Sequence, residues 1–586
     1  MTSSTLFTTG NTADAPRSDL PHLLAALAAD LRSVGYTLDG VAELLGESAS
    51  AALDRDQLIP ALLVTEEIEA AGTAGTGGTG GAAESSGTAA EPDGQRAALA
   101  AVVRLWLLAV PQPREKLDAV LPAIGTEGLL ELRLIEPDND GGFRAAADLR
   151  PYGWSGNSQA GDSEDAGDSA DVEIWVASDL AAHQRPGVLR HDHVLGIGQA
   201  STTLVQTTIR RQVERALDLG TGCGIQSFHL LGHARHVTAT DISERALAFT
   251  RFNLLLNADA LGLDPERLED RVSLRLGSLL EPVEGESFEL VVSNPPFVIT
   301  PRTSGESADS QFTYRDGGLP GDEIVATLIE LLPTVLAPGG TAQLLGNWEI
   351  TDGWDWHERP ESWVPETAEA WFIQREQVGP EQYAETWLQD SSESRNREHY
   401  KDSYAAYLRD FASRNVTGIG FGMVFLRRPA AEAGPAAGAA AGAGLLRRFE
   451  EITYPIEQPI GPHLGAAVER FDWLATHSLE DTHLLVAEDV TEERHQRPGA
   501  EHPGVILLRQ GAGLRRTNLL STELAGFVSA CDGELSVRQI AGALEALLGG
   551  GEGFDGGTFR EGLLREVRNL VADGFLLPDP AADGPA

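Results

Sequence analysis

The chain has 586 residues, 42% of them hydrophobic. That is enough for about three to four domains, each with its own core, and too long for a single one. Lys and Arg number 44 against 88 Asp and Glu, a net charge of −44, which excludes a general basic nucleic-acid coat protein but leaves room for a local basic groove.

The first residues, MTSSTLFTTGNTADAPRSD, have neither a basic n-region nor an apolar h-region, so no secretory signal is expected. The longest apolar stretch, 97–110, carries Arg104 and is too short to span a bilayer. Cys223 and Cys531 are the two cysteines. They supply no disulfide framework and no zinc cluster, and they point to a reducing compartment. No membrane partner and a cytoplasmic location are the expectations.

Residues 20–70 carry apolar residues at helical spacing. GTAGTGGTGGAAESSGTAAEPDG, 72–94, has no large apolar residue and predicts a flexible loop. Helical pattern returns over 97–124. From Leu129 the sequence LLELRLIEPDNDGGFRAAADLRPY alternates around an NDGG turn, predicting a β-hairpin. Helices followed by a hairpin suggest a winged-helix-like accessory domain over 1–155. Residues 155–171 hold five acids and no base, so 156–171 reads as an acidic disordered loop.

Residues 172–430 form the next predicted domain. The strand candidate VEIWVAS opens it. Further on, ALDLG, VTATD, VSLRLG, FELVVSNPP and TAQLLGNW alternate with helical stretches such as SERALAFTRFNLLLNA. That alternation predicts an α/β, Rossmann-like fold, a mostly parallel sheet with helices on both faces. A low-complexity linker, 431–444, follows. Residues 445–586 predict a C-terminal α+β accessory domain, again winged-helix-like, with three amphipathic helices and a closing strand.

Three motifs carry chemistry. Asp218-Leu219-Gly220-Thr221-Gly222-Cys223-Gly224 ends a strand and opens a helix. Its glycines let the backbone approach a ligand, and the helix start offers free N–H groups. No Gly-Lys-Ser/Thr follows, so it is no P-loop, and Ile225 fills the third-glycine slot of a dinucleotide fingerprint. An acid beside the loop suits a cationic ligand with an amino group and a sulfonium. Thr240-Asp241-Ile242-Ser243 ends the next strand, where an acid can accept two ribose hydroxyls or else cap the following helix. Ser293-Asn294-Pro295-Pro296-Phe297-Val298 follows the apolar strand FELVV. The two prolines offer no N–H, the Asn294 oxygen can accept from an NH₂ group, and Phe297 offers a flat face to a planar group. Such a site holds a planar nitrogen toward an electrophilic methyl by positioning and dipoles.

With these motifs in register, residues 195–428 resemble the class I S-adenosylmethionine-dependent methyltransferases with an (Asn/Asp)-Pro-Pro-(Tyr/Phe) motif. SNPPFVITP and YRDGGLPGDEIVATLIELLPTVLAPGGTAQLLGNW look most like the HemK-like release-factor glutamine N-methyltransferases. The resemblance implies S-adenosyl-L-methionine as cofactor. It implies Asp218, Gly220, Thr221, Gly222 and Gly224 at the methionine end, Asp241 on the ribose and Ile242 beside the adenine. It implies Asn294, Pro295, Pro296 and Phe297 around the substrate nitrogen, with Gln199 and Thr202 of GIGQASTTLV as weaker candidates nearby. Ser278 stands where the family often has an acid near the adenine amine. Phe297 replaces the commoner Tyr, as in base-modifying relatives. The acceptor is a protein glutamine amide, such as that of a translation factor, or the exocyclic amine of adenine or guanine in RNA or DNA. The local sequence and the net charge favour protein, while the winged-helix-like flanks argue for nucleic acid by analogy of fold alone, which leaves protein slightly ahead. A non-catalytic cofactor-binding assembly module is a further alternative, which the intact Asn-Pro-Pro-Phe argues against. Oligomeric state is left open.

Other residues read as structural. Trp354, Trp356, Trp363, Trp371 and Trp387 predict a packing cluster rather than a substrate cap. Residues 394–411 read as an amphipathic helix with a solvated face. His191 and His193 lack a third metal ligand. Cys223 reads as a packing residue, and Arg515-Arg516 as a surface pair.

Overall fold

The structure is a computed structural model that describes residues 6–75, 92–155, 171–185, 190–302, 317–390, 397–430, 445–549 and 555–580. The segments expected as a loop at 72–94, an acidic loop at 156–171 and a linker at 431–444 lie wholly or mostly outside them. Two compact units are present. The first comprises Met1–Val205, Arg211–Ala368 and Glu376–Arg428, the second Gln206–Arg210, Glu369–Arg375 and Pro429–Ala586.

The first unit begins with helices Pro21–Ser33, Leu38–Leu53 and Ile59–Gly75. Thr37 caps the second by accepting the Gly40 N–H at 2.9 Å. Helices Pro92–Trp106, Arg114–Val120 and Gly125–Glu131 lead into an antiparallel hairpin of Ile135–Pro137 and Phe143–Ala145. Gln112 joins Phe143 in a single isolated bridge. The strand pattern expected from Leu129 starts later, at Ile135, because residues 129–131 finish a helix. Leu129 and Leu132, both fully buried, sit three apart, which fits one helix face, whereas a strand would turn them to opposite faces. Strand Asp148–Trp154 then pairs antiparallel with Val172–Ser178, so the two sides of the acidic segment share one ribbon.

The large sheet follows. Its strands in the first unit are β1 (Val213–Leu219), β2 (Ala234–Asp241), β3 (Val272–Leu276), β4 (Phe288–Ser293), β5 (Leu336–Thr351) and β6 (Val416–Arg427). They lie in the order β6-β5-β4-β1-β2-β3. β1 to β5 are parallel, and β6 runs antiparallel to β5. Leu217, Val237 and Val291 are fully buried, as central strands covered on both faces require. Covering helices include α1 (Ile225–Leu230), α2 (Glu244–Leu256) and α3 (Glu323–Leu331). α2 is buried almost all round, because the Val172–Ser178 ribbon packs on it. Asn253 of α2 and Asn257, which caps its C-terminus, bond the backbone of Ala177 and Trp175. Strand order reverses between β1 and β4, and a crevice at the carboxyl ends of the strands is expected there.

In the second unit, residues 447–451 pair parallel with 370–374. Helix Gly461–Thr476 follows. Two three-stranded sheets and helices Thr522–Val528, Val537–Leu548 and Gly556–Asp573 complete it. Phe527, Val537, Val567, Leu570 and Leu576 form its buried centre. The three expected helices and the closing strand, Leu576–Pro578, are all there.

Candidate active site

The register aligns Leu219 with both Thr240 and Ser293, so the turns after β1, β2 and β4 emerge side by side. Gly220, Gly222 and Gly224 have φ of 76°, 58° and 99°, a region L side chains rarely adopt. A Cβ on Gly220 or Gly222 would meet open space, whereas one on Gly224 would press on Phe228 at 2.9 Å. The loop is therefore open on the side of its first two glycines and packed at the third.

Its backbone is tied down. The Gly220 and Thr221 N–H groups both donate to the Thr240 carbonyl at 2.9 Å. Thr250 donates to the Gly222 carbonyl and Asn253 to the Cys223 carbonyl, each at 2.9 Å. Asp218 is fully buried. Its Oδ2 accepts from Ser227 at 2.7 Å and Thr221 at 2.8 Å, while Oδ1 has no partner among the described residues. Burial pushes this carboxyl up to about 6, against the two hydroxyls that hold it down. Cys223 is buried and its thiol is pushed up to about 12 by the same cause, so it packs the loop.

The half-buried Asp241 accepts the Gly222 N–H at 3.0 Å and the Ser243 N–H at 2.8 Å. Burial raises its carboxyl above the ordinary range. Ser243, rather than Asp241, caps α2. Ile242 beside it is 60% exposed, unusual for an isoleucine next to a sheet edge. The Gly277 N–H donates to the Asp241 carbonyl at 3.0 Å, which brings the half-buried Ser278 to the same rim.

On the other side of β1, Ser293 donates to the Leu219 carbonyl at 2.8 Å. This bond holds the start of Asn294-Pro295-Pro296-Phe297 against the glycine loop. Pro295 is buried, and Asn294, Pro296 and Phe297 are half-buried. The Asn294 Oδ1 is buried without a partner among the described residues. A buried acceptor left unpaired is costly and marks a place where a donor is expected to arrive. Gln199 is exposed, and Thr202 bonds back to the Gly198 carbonyl at 3.1 Å. Gln226 of α1 donates to the Ser201 carbonyl at 2.9 Å, tying that segment to the glycine loop.

Three residues that motif reading passed over hold the site in place. Asn253 links the glycine loop to the Val172–Ser178 strand. Arg245, on the first turn of α2, grips Asp179 through both terminal nitrogens at 2.7 and 2.9 Å and the carbonyls of Asp14 and Asp192. Tyr383, on helix Pro380–Asp390, accepts the Ile299 N–H at 2.8 Å and the Asn347 side-chain amide at 3.1 Å. An arginine buried in the first turn of the helix, beside the glycine loop, is a weak signal for the second of these. The other two left none.

The five tryptophans do not form one cluster. Trp354 is 58% exposed. Trp356 stacks on Trp348 at 5.9 Å, Trp363 faces Arg359 and Trp387 packs near Tyr383. Trp371 belongs to the second unit. The window crosses two helices and a strand, so neighbours in sequence point to different places.

Residues 179–312 match the family described as the methyltransferase small domain. The chain carries a class I methyltransferase domain. S-adenosylmethionine is the cofactor of this class. Residues 33–146 match a domain of unknown function (DUF7059). The chain is similar to a ribosomal protein uL3 glutamine methyltransferase of Bradyrhizobium diazoefficiens, 29% identical over 26% of this chain and 46% of that protein. It is similar to a release factor glutamine methyltransferase of Moorella thermoacetica, 36% identical over 22% of this chain and 44% of that one. A ribosomal RNA small subunit methyltransferase C of Alcanivorax borkumensis is 26% identical over 31% of this chain and 49% of its own. The chain thus spans less than half the length of each of these relatives. No helix among the described residues is long and apolar enough to cross a membrane.

Proposed function

We propose that the protein transfers a methyl group from S-adenosylmethionine to a planar amide nitrogen, that of a glutamine side chain in a protein. One observation carries the reading. The Asn294 Oδ1 is a buried acceptor without a partner among the described residues, set directly before two prolines and strapped through Ser293 to the glycine loop.

The residues fit the cofactor. Gly220 and Gly222 leave open space where side chains would stand. Asp218 keeps one carboxylate oxygen unpaired beside them and would attract the cationic methionine end. Asp241, already bonded to two backbone N–H groups, keeps lone pairs for ribose hydroxyls. The exposed face of Ile242 would lie along the adenine, with Ser278 at the rim. When bound, S-adenosylmethionine supplies an electrophilic methyl group.

The chain's own residues supply orientation. The Asn294 oxygen accepts an N–H of the substrate amide, which turns the nitrogen toward the methyl. Pro295 and Pro296 bring no competing N–H. Phe297 gives the planar amide a face to lie on. No strong base among these residues is needed when positioning and preorganised dipoles provide the catalysis.

A protein acceptor is favoured over a nucleic acid by the winged-helix-like accessory domain. Its Gly125–Glu131 helix, GTEGLLE, would be the groove-reading helix, and it carries two acids and no base. A duplex phosphate backbone would be repelled there. Similarity to glutamine methyltransferases adds to this reading. The test is methyl transfer from radiolabelled cofactor into a lysate lacking the enzyme, followed by separate protease and nuclease digestion. Label released by protease is the expected result. Label lost to nuclease would make the acceptor a base, as the name of the Alcanivorax relative describes for that protein.

A further inference from the structure

Two buried arginines stand outside the cofactor and acceptor motifs. Arg516, 9% exposed, is no surface residue, contrary to the expectation for the Arg515-Arg516 pair, and it is paired with Glu450 within the second unit. Arg245, 7% exposed, joins three separate segments of the first unit. Its Nε donates to the Asp14 carbonyl at 2.9 Å, one terminal nitrogen donates to the Asp192 carbonyl at 2.8 Å, and both terminal nitrogens reach the Asp179 carboxylate. A two-point carboxylate contact of this kind fixes the plane of the guanidinium as well as its position.

Asp179 passes this hold to the chain before β1. Its Oδ2 accepts the Val194 N–H at 2.8 Å, and its own N–H donates to the Val194 carbonyl at 3.1 Å. Gly196 lies so close to the end of the Val172–Ser178 strand that a Cβ there would stand 2.6 Å from the Ser178 hydroxyl oxygen. Farther on, the Ser201 carbonyl accepts the Gln226 amide at 2.9 Å. Residues 192–201 are thus tied at one end to the first turn of α2 and at the other to the first turn of α1. Those two helices follow Asp241-Ile242 and the glycine loop, the same two turns that fit the cofactor. The segment therefore runs beside the cofactor groove. Leu195 on it is 50% exposed and Ile242 is 60% exposed, and a ligand lying along the groove would cover apolar surface of this kind.

We propose that Arg245 and Asp179 are positioning residues for the cofactor: as a pair they clamp residues 192–201 in place as a wall of the cofactor groove. The inference rests on the placement of S-adenosylmethionine proposed above and is independent of which acceptor is methylated. Neither side chain needs to touch the cofactor. Without the clamp the wall samples more conformations, binding has to restrict them, and the cost appears as weaker affinity.

The test is calorimetric titration of the full-length protein with S-adenosylhomocysteine. Arg245→Lys keeps the charge and cannot span three segments. Asp179→Asn loses the two-point ion pair. Gly196→Ala pushes the segment off Ser178 and leaves the pair intact, which covers the case of a clamp variant that folds poorly. Each should weaken binding roughly three- to thirtyfold. Arg133 holds Asn11 and the carbonyls of Thr12 and Ala15, so Arg133→Ala loosens the N-terminal segment and not the wall, and its affinity should stay within about twofold of wild type. Hydrogen exchange gives a readout that a purely structural role would not move. In the wild type S-adenosylhomocysteine should slow exchange over residues 192–201, and in the three wall variants this stretch of the ligand-free protein should exchange faster while the central strands do not. Affinity unchanged in the wall variants, equal weakening in Arg133→Ala, or no ligand protection over 192–201 would overturn the proposal. Asp241→Ala separates the two levels. If it weakens binding and the wall variants do not, the clamp alone falls, and if it too is without effect, the placement of the cofactor falls as well.

Discussion

The Gly222 N–H donates to the Asp241 carboxylate at 3.0 Å. One carboxylate thereby spans the turns after β1 and β2, so the acid proposed for the ribose also sets the shape of the glycine loop. Asp241→Ala is expected to weaken cofactor binding by about 1–3 kcal/mol, or roughly five- to 150-fold, through lost hydrogen bonds. Asp241→Asn keeps one acceptor oxygen and should lose less. Isothermal calorimetry decides this. Unchanged affinity in Asp241→Ala would remove it from the site.

Asn294→Ala removes the unpaired acceptor while leaving the Ser293 strap and both prolines. Methyl transfer should fall by at least a hundredfold, since positioning of the nitrogen is lost, and cofactor affinity should stay within a factor of two. Transfer at wild-type rate in this variant would refute the assignment of Asn294. Loss of cofactor binding as well would point to a collapsed loop.

The sequence made the large sheet and the three turns legible because each is local. The glycine loop, Thr240-Asp241 and Asn294-Pro295-Pro296-Phe297 all sit where a buried strand ends, and strand ends are visible as apolar runs meeting Gly or Pro. The supports were not legible. Tyr383 holds the Ile299 N–H across 84 residues, and Arg245 reaches Asp179 across 66. No periodicity encodes such contacts. The misplaced start of the hairpin has a different cause, for Leu129 and Leu132 stand at helical spacing and the alternating run follows them directly, so the end of the helix was absorbed into the strand.

The buried carboxyl of Asp218 gives a pH signature. Its pKa of about 6 when folded lies above the ordinary 3.8, so the folded state binds the extra proton between those values. Stability therefore falls as pH rises through that window and levels off above it. The chain's isoelectric point is near 4.6, so measurement is best made from about pH 5.2 upward. Over about pH 5.2 to 7.5 the wild type should lose roughly 1 kcal/mol more stability than Asp218→Asn. Urea unfolding of both proteins across this range measures the difference. Parallel curves would mean that Asp218 does not titrate there. Cofactor affinity should rise with pH over the same range in the wild type, because the ionised carboxylate suits a cationic ligand.

Tyr383 tests whether the acceptor loop is held from behind. Its hydroxyl takes the Ile299 N–H, two residues past Phe297, and the amide of the fully buried Asn347 on β5. Tyr383→Phe keeps the ring that packs on Phe411 and Phe421 but strands both donors. The expected cost is about 1–3 kcal/mol of stability. If the hydroxyl only stabilised the fold, kcat of the remaining folded enzyme would be unchanged. As a positioning residue it acts on the segment carrying Asn294 and Phe297. Turnover should then drop about tenfold, with cofactor affinity preserved and the KM for the acceptor raised. A variant that loses stability but keeps both kcat and KM would make Tyr383 a packing residue and nothing more.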